Sequence, residues 1–443
     1  MLQFLDKMTT LRFLVLMYSI ALIMRVGAVV TVGQLQDVLE YEPLIIGKNI
    51  SEGYGFSLHW PYRSFDETRF AYMHSVPAPE YGTTFIPPIV PYLYGGYIAV
   101  MGMEKPSLFI LMMIQACIGA FLPILCYYAT LYFFGYTIAK LSSLCSLVYL
   151  PAALAATTFS GAVLYPLAGL GVVIYIGKWY KNPSAFTIGM IGIFSGIVSL
   201  MRSEFYYIFF VLLGALFFLW SKHHGWQKQL QYASVCIIAF FITTGWWTFR
   251  NYHEFGRIIP VTGHPWREIW RGYNPYSTGS GSGAHGFKIW ENQQEYAHIT
   301  RALDSIPFNN QFEEHADKVY KKEVMQFVTE NTSRSLWLVC KKICMFWTID
   351  IYYEKARHIL YIVPQLFVLS LTVIGIYSLY QQNQRIMLMP WCIFFLCYSG
   401  VFALTYVLPR YQSYVFPLFF PLCGYGLMRV GGYLKLQRSL PRL

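Results

Sequence analysis

One carboxylate and a few arginines stand at positions where they could do chemistry. Asp37 follows the first apolar run, Arg202 and Glu204 share a short break between two apolar runs, Arg250 opens a long polar region, and Arg410 lies between the last two apolar runs. A carboxylate can take a proton from a hydroxyl. Guanidinium forks match phosphate oxygens, and their charge can stabilise an anionic leaving group without a metal. Each residue also has a plainer reading: an acid at a helix end is an ordinary solvated residue, and an arginine there snorkels its charge to the interface. Position alone favours the plainer reading. Glu40 and Glu42 add carboxylates near Asp37, and hard divalent ions take such clusters. On a helix, however, Asp37 and Glu40 share a face from which Glu42 points away, so solvated loop residues are preferred over ligands.

The elements that must carry these residues follow from composition. The chain has 443 residues, 56% hydrophobic and only 12% charged, where soluble domains carry roughly 25% charged residues. The segments 107–139, 141–177 and 229–249 hold no Asp, Glu, Lys or Arg, and each exceeds the roughly 20 apolar residues that cross a bilayer. The chain reads as an all-α polytopic membrane protein, which excludes soluble enzymes, secreted disulfide scaffolds and disordered chains. The apolar run 11–33 is too long for a cleaved signal peptide and is expected to remain as the first membrane helix. Further spans are expected over 107–134, 137–157, 160–177, 184–201, 204–221, 231–249, 358–381, 386–408 and 412–432, about ten in all.

Charge sets the expected topology. Segments 86–104, with Pro87, Pro88 and Pro91, and 336–352, with Lys341 and Lys342, are poor spans and read as interfacial. Lys140, Lys178, Lys181, Lys222, Lys228 and Arg385 then fall on one side with both termini, which the positive-inside rule makes cytoplasmic. Most of the net charge of +11 is topological in this reading, and no nucleic-acid partner is expected. Two long extracytoplasmic loops result, the first containing juxtamembrane helices. Three parts are expected: a transmembrane module over 1–249 that includes outer loop 34–106, a second outer loop over 250–357, and C-terminal helices with a basic tail over 358–443. Asp37, Arg202, Arg250 and Arg410 then share the outer face. The nine cysteines include no CxxC pair, and the ten histidines show no metal-ligand spacing, so His253, His264 and His285 read as loop residues. The sequons at Asn49 and Asn331 matter only in a eukaryotic secretory pathway. Arg25, inside the first span, is expected to face protein or a polar cavity.

Four stretches carry a family resemblance. They are Asp37-Val-Leu-Glu40-Tyr41 with the later Gly53-Tyr-Gly55-Phe56-Ser57; Pro87-Pro88-Ile-Val-Pro91-Tyr92; Trp247-Thr-Phe-Arg250-Asn251-Tyr252 followed by Trp270-Arg-Gly272-Tyr-Asn274-Pro275; and Pro409-Arg410-Tyr411 with Pro417. In this order the chain resembles the GT-C superfamily of membrane glycosyltransferases, in the bacterial branch related to protein O-mannosyltransferases and aminoarabinose transferases. Departures stand at Trp246, Ser203 and Tyr273, where the family often has proline, proline and asparagine, and they leave the subfamily and acceptor open.

The resemblance implies transfer of a hexosyl or pentosyl group from a polyprenyl-phosphate donor to an acceptor hydroxyl at the outer face of the plasma membrane. It implies Asp37 as catalytic base, with Arg250, Arg410 and Arg202 at the donor phosphate. Glu40, Tyr41, Asn251 and Tyr411 are further site candidates from the same motifs. No cofactor is expected, with a divalent metal left open, and the acceptor is a lipid, a glycan or a protein. Two other functions fit the same composition. A flippase of lipid-linked sugars would be marked by interrupted helices in repeated halves, which the sequence lacks. A polysaccharide polymerase would also carry large outer loops.

Overall fold

Apolar runs of this length can satisfy their backbone inside a bilayer only as helices, and helices are what form. The computed structural model describes residues 8–33, 41–58, 82–220, 225–281, 296–307 and 309–432. In chain order the helices are α1 (Thr10–Val32), α2 (Glu42–Ser51), α3 (Ile89–Met101), α4 (Lys105–Gly119), α5 (Leu122–Phe134), α6 (Tyr136–Val148), α7 (Leu150–Leu154), α8 (Leu164–Lys181), α9 (Ala185–Ser199) and α10 (Glu204–Trp220). They continue as α11 (Trp226–Phe255), α12 (Pro265–Gly272), α13 (Ala297–Asp304), α14 (Phe312–Glu330), α15 (Thr332–Trp347), α16 (Ile359–Gln381), α17 (Arg385–Leu404), α18 (Pro409–Val415) and α19 (Phe420–Val430). Among the described residues there is no strand, only an isolated parallel bridge between Ser280 and Val407.

Among the described residues five helical stretches are long and apolar enough to cross a membrane: α1, α4 continued by α5, α11, α16 and α17. A sixth appears if α6 and the 150–157 stretch, bent by 65° to each other, form one span. The bend falls where Pro151 enters the first turn of α7, because proline cannot continue the preceding hydrogen-bond ladder. The other segments expected to span are helical but shorter or broken. Helix α9 has 15 residues, and the last segment is interrupted by a 3-10 turn at Phe416–Phe419 before α19. The expected division at residues 249/250 falls inside α11, which runs unbroken from Trp226 to Phe255.

Small residues set how closely these helices pack. A Cβ on Gly192 of α9 would lie 2.3 Å from the Cys236 carbonyl oxygen of α11, and one on Gly426 of α19 would lie 1.9 Å from the Leu371 oxygen of α16. Apolar side chains gain nothing by leaving lipid tails for one another, so close backbone approach over small residues supplies the packing energy. Arg25 of α1 is 3% exposed and donates to the Ala21 carbonyl at 3.2 Å, so it faces protein as expected. Lys342 of α15 is buried as well. Its Nζ donates to the Thr405 carbonyl at 2.8 Å and lies 3.5 Å from the centre of the Tyr273 ring. Burial pushes this ammonium down to about 6.

Outside the apolar bundle, α12 to α15 enclose a second, smaller core built on Trp270, Tyr296, Leu303, Phe312 and Tyr320. Helices α2 and α3 of the first loop cross where a Cβ on Gly47 would meet Gly95 N at 3.0 Å. Segment 279–281 is fastened to the link between α17 and α18 through Gly281 N to Val407 O at 2.7 Å and Val407 N to Gly279 O at 3.0 Å. These pieces surround the cavity described next.

Candidate functional site

Pro409 occupies the first turn of α18, where its missing N–H costs nothing and its fixed φ starts a helix. Arg410 and Tyr411 follow at once. On the neighbouring side, the turn between α9 and α10 places Arg202, whose backbone N–H bonds to the Val198 carbonyl at 2.8 Å. Arg202 pairs with Glu204 at 2.7 Å and lies 4.7 Å from the Tyr411 ring centre and 4.8 Å from that of Tyr414. Arg410 lies 5.6 Å from the Tyr411 ring centre. A third arginine, Arg271 of α12, donates to the Tyr406 hydroxyl at 2.6 Å and lies 3.4 Å from Glu268. The Tyr411 hydroxyl donates to Tyr406 at 3.0 Å, which joins the three arginines through one tyrosine network.

These residues line a cavity of about 640 Å³. Tyr41 and Glu42 enter it from the start of α2, and Arg257 to His264 form another part of its wall. Its charges are unequal. Glu204 balances Arg202 and Glu268 balances Arg271, while the Arg410 guanidinium forms no ion pair or hydrogen bond with a described residue and is open to the cavity. Burial would lower the pKa of Arg410, but Tyr411, Tyr414 and Glu42 outweigh it and hold the group charged. Burial likewise acts to raise the Glu268 carboxyl, and Arg271 and Arg267 overcome it to hold the carboxyl below its usual range. The result is a tyrosine-lined wall in which one guanidinium is left without a direct carboxylate contact and can take an anion, with Glu42 acting on it through space.

Of the residues singled out in the sequence, Arg202, Arg410, Tyr411 and Tyr41 converge on this cavity. Asp37 and Glu40 lie outside the described residues. Arg250 and Asn251 are not among the cavity-lining residues. Arg250 donates to the Thr83 and Phe56 carbonyls, each at 3.1 Å, and Asn251 donates to the Ile259 carbonyl at 2.9 Å. Both fasten loop backbone to the end of α11. Removing the Arg250 guanidinium leaves two partly buried carbonyls without their donor, at roughly 1–3 kcal/mol per unsatisfied group. Arg250→Ala is therefore expected to lower the melting temperature in detergent by several degrees. The donor KM of the folded fraction should stay the same, and steady-state kinetics alongside a melting curve checks both.

Residues not anticipated as site members are Glu268, Arg271, His264 and Tyr406. Helix α12 carries Glu268 and Arg271, and His264 is the residue just before it. Asp317 of α14 caps its start by accepting from the Trp266 and Arg267 N–H groups at 2.9 and 3.3 Å, and burial pushes that carboxyl up to about 6. The signal was present in the sequence: 264, 268 and 271 follow the i, i+4, i+7 spacing of one helix face. Among the described residues no group of three His, Cys, Asp or Glu side chains could hold a metal ion.

No protein-family model and no curated protein matches the chain. Solved structures do. The archaeal oligosaccharyltransferase AglB from Archaeoglobus fulgidus, in complex with an inhibitory peptide and a dolichol-phosphate, superposes with a TM-score of 0.51 at 14% identity. The alignment covers 98% of this chain and 52% of that one. The apo form of the oligosaccharyltransferase from the same organism gives a TM-score of 0.52 at 14% identity, over 97% of this chain and 51% of that one. The fold is shared. The chain spans about half the length of the solved chains it matches.

Proposed function

We propose that this protein is a membrane glycosyltransferase that moves a sugar from a polyprenyl-phosphate donor to an acceptor hydroxyl. The observation that carries the reading is Arg410. An open, charged guanidinium backed by two further arginines and a tyrosine network suits a lipid phosphate. The shared fold supports it, since one of the solved neighbours holds a dolichol-phosphate. The topology that fits is about ten spans with both termini cytoplasmic, which puts the cavity on the extracytoplasmic side.

The chemistry is a substitution at the anomeric carbon. The acceptor oxygen forms the new bond to that carbon, the bond from carbon to the phosphate oxygen breaks, and the electron pair leaves on the phosphate. Its charge changes from one negative unit to two as the sugar departs, so cations that meet it in the transition state lower the barrier. Arg410 would meet that charge, and Arg202 and Arg271, each balanced by its own carboxylate, hold the tyrosines around it. The acceptor proton needs a base, and the motif resemblance assigns that to Asp37, four residues before Tyr41 in the sequence. Tyr41 and Glu42, four and five residues after Asp37 in the sequence, line the cavity.

Polyprenyl phosphate without a sugar tests the phosphate site by itself. It should bind the purified protein in detergent and raise its melting temperature, because a ligand of the folded state stabilises it by mass action. A melting curve unmoved by saturating polyprenyl phosphate contradicts the reading.

A further inference from the structure

His264 stands at the start of α12 and lines the same cavity, yet the phosphate site does not use it. The side chain is held on one edge only. Its Nε2 lies 2.6 Å from Glu313 Oε2 and 2.8 Å from Thr84 Oγ1. Glu313 is also bonded by the Thr83 hydroxyl and by the Thr84 N–H at 3.1 Å. The Thr84 hydroxyl gives its own hydrogen to Glu313 Oε2 at 3.1 Å, so both neighbours of Nε2 act as acceptors. Nε2 must therefore carry the ring hydrogen, and in the neutral imidazole Nδ1 is left as an acceptor. That Nδ1 has no hydrogen-bond partner among the described residues, although His264 is only 6% exposed. A buried ring nitrogen left without a partner is destabilising and points to a missing donor.

The spacing along α12 says what that donor is. His264 is the N-cap residue of the helix whose Glu268 and Arg271 line the same cavity, and at 1.5 Å per residue it stands about 10 Å from Arg271 along the axis. With the phosphate at the arginine wall, that distance reaches past the anomeric carbon to the far side of the transferred sugar or to the acceptor.

We infer that His264 Nδ1 accepts a hydrogen bond from a carbohydrate hydroxyl in the cavity, with Glu313 as the positioning residue that fixes the ring and its tautomer. The inference rests on the proposed transfer reaction. A hydroxyl on the donor sugar and one on the acceptor share this chemistry, and the test separates them.

Two substitutions divide the ring. Glutamine places its amide nitrogen near the Nε2 position and has nothing at Nδ1, whereas asparagine places its oxygen near Nδ1 and loses the reach to Glu313. His264→Gln should keep the wild-type melting temperature, and His264→Asn should lower it. Binding of sugar-free polyprenyl phosphate should be the same for wild type and His264→Gln. For a panel of polyprenyl-phosphate hexoses and pentoses, His264→Gln should raise KM or Kd roughly tenfold for the sugar that wild type prefers, with His264→Asn affected less. That result assigns the hydroxyl to the donor; unchanged donor binding with a roughly tenfold higher acceptor KM assigns it to the acceptor. Unchanged constants for both substrates overturn the inference, as does an equal loss for sugar-free polyprenyl phosphate or a larger ligand defect in His264→Asn than in His264→Gln. If wild type itself binds no polyprenyl phosphate, the transfer reading fails instead, and the hydroxyl site falls with it.

Discussion

Arg410→Ala is expected to lower kcat/KM for the lipid donor by about 10²–10³-fold, the range found when one preorganised group facing a developing negative charge is removed. The loss should fall mainly on donor use and leave the acceptor KM nearly unchanged; equal effects on both substrates would count against a phosphate role. Stability should barely change, because the Arg410 guanidinium has no ion pair or hydrogen bond with a described residue to lose. Arg410→Lys should recover part of the activity, since it restores the charge without the planar fork. Arg202 is a useful contrast. It is tied to Glu204 at 2.7 Å, so its removal leaves a carboxylate in the cavity without its cation, and a loss of fold and a loss of function would arrive together.

Asp37→Asn is expected to lower kcat by about 10²–10⁴-fold, the contribution typical of a positioned general base. Donor binding should be preserved, because the change removes a proton acceptor and leaves the arginine wall intact. Full transfer activity in the Asn variant would remove Asp37 from the mechanism and turn attention to Glu42, which lines the cavity beside the arginine-paired Glu204 and Glu268. Asp37→Asn and Arg410→Ala are thus separable by a single binding measurement with sugar-free donor.

Which parts of this could be read from the sequence depended on how local the signal was. Uncharged runs fixed the helices, because hydrocarbon leaves the backbone no other partner. They did not fix how many cross the membrane: Pro151 bends one segment by 65°, and a 3-10 turn at Phe416–Phe419 breaks another. Arg202, Tyr41, Arg410 and Tyr411 could be selected because motif and charge coincide at the ends of apolar runs, and these four line the cavity. Arg250 has the same local signature at the end of α11. Its partners, the carbonyls of Phe56 and Thr83, are 194 and 167 residues away in the chain, and no pattern around Arg250 announces them. The opposite failure occurred at α12. The i, i+4, i+7 face of His264, Glu268 and Arg271 was legible, but on a helix of eight residues inside a polar loop it resembles any solvated turn. Tyr273, which departs from the family pattern, turns out to place its ring beneath Lys342 and its hydroxyl on the Ala403 carbonyl at 2.8 Å. That contact helps explain how a lysine can sit buried in α15.

In the proposed reaction a sugar leaves a polyprenyl phosphate in this cavity. Its most direct test is reconstitution of the purified protein in liposomes with polyprenyl phosphates carrying a labelled sugar, following the label and the carrier together. Label should move from the carrier to an acceptor while sugar-free polyprenyl phosphate accumulates in equal amount, and Arg410→Ala should abolish both. Labelled carrier that crosses between leaflets with its sugar still attached, and no release of polyprenyl phosphate, would contradict it and identify a transporter instead.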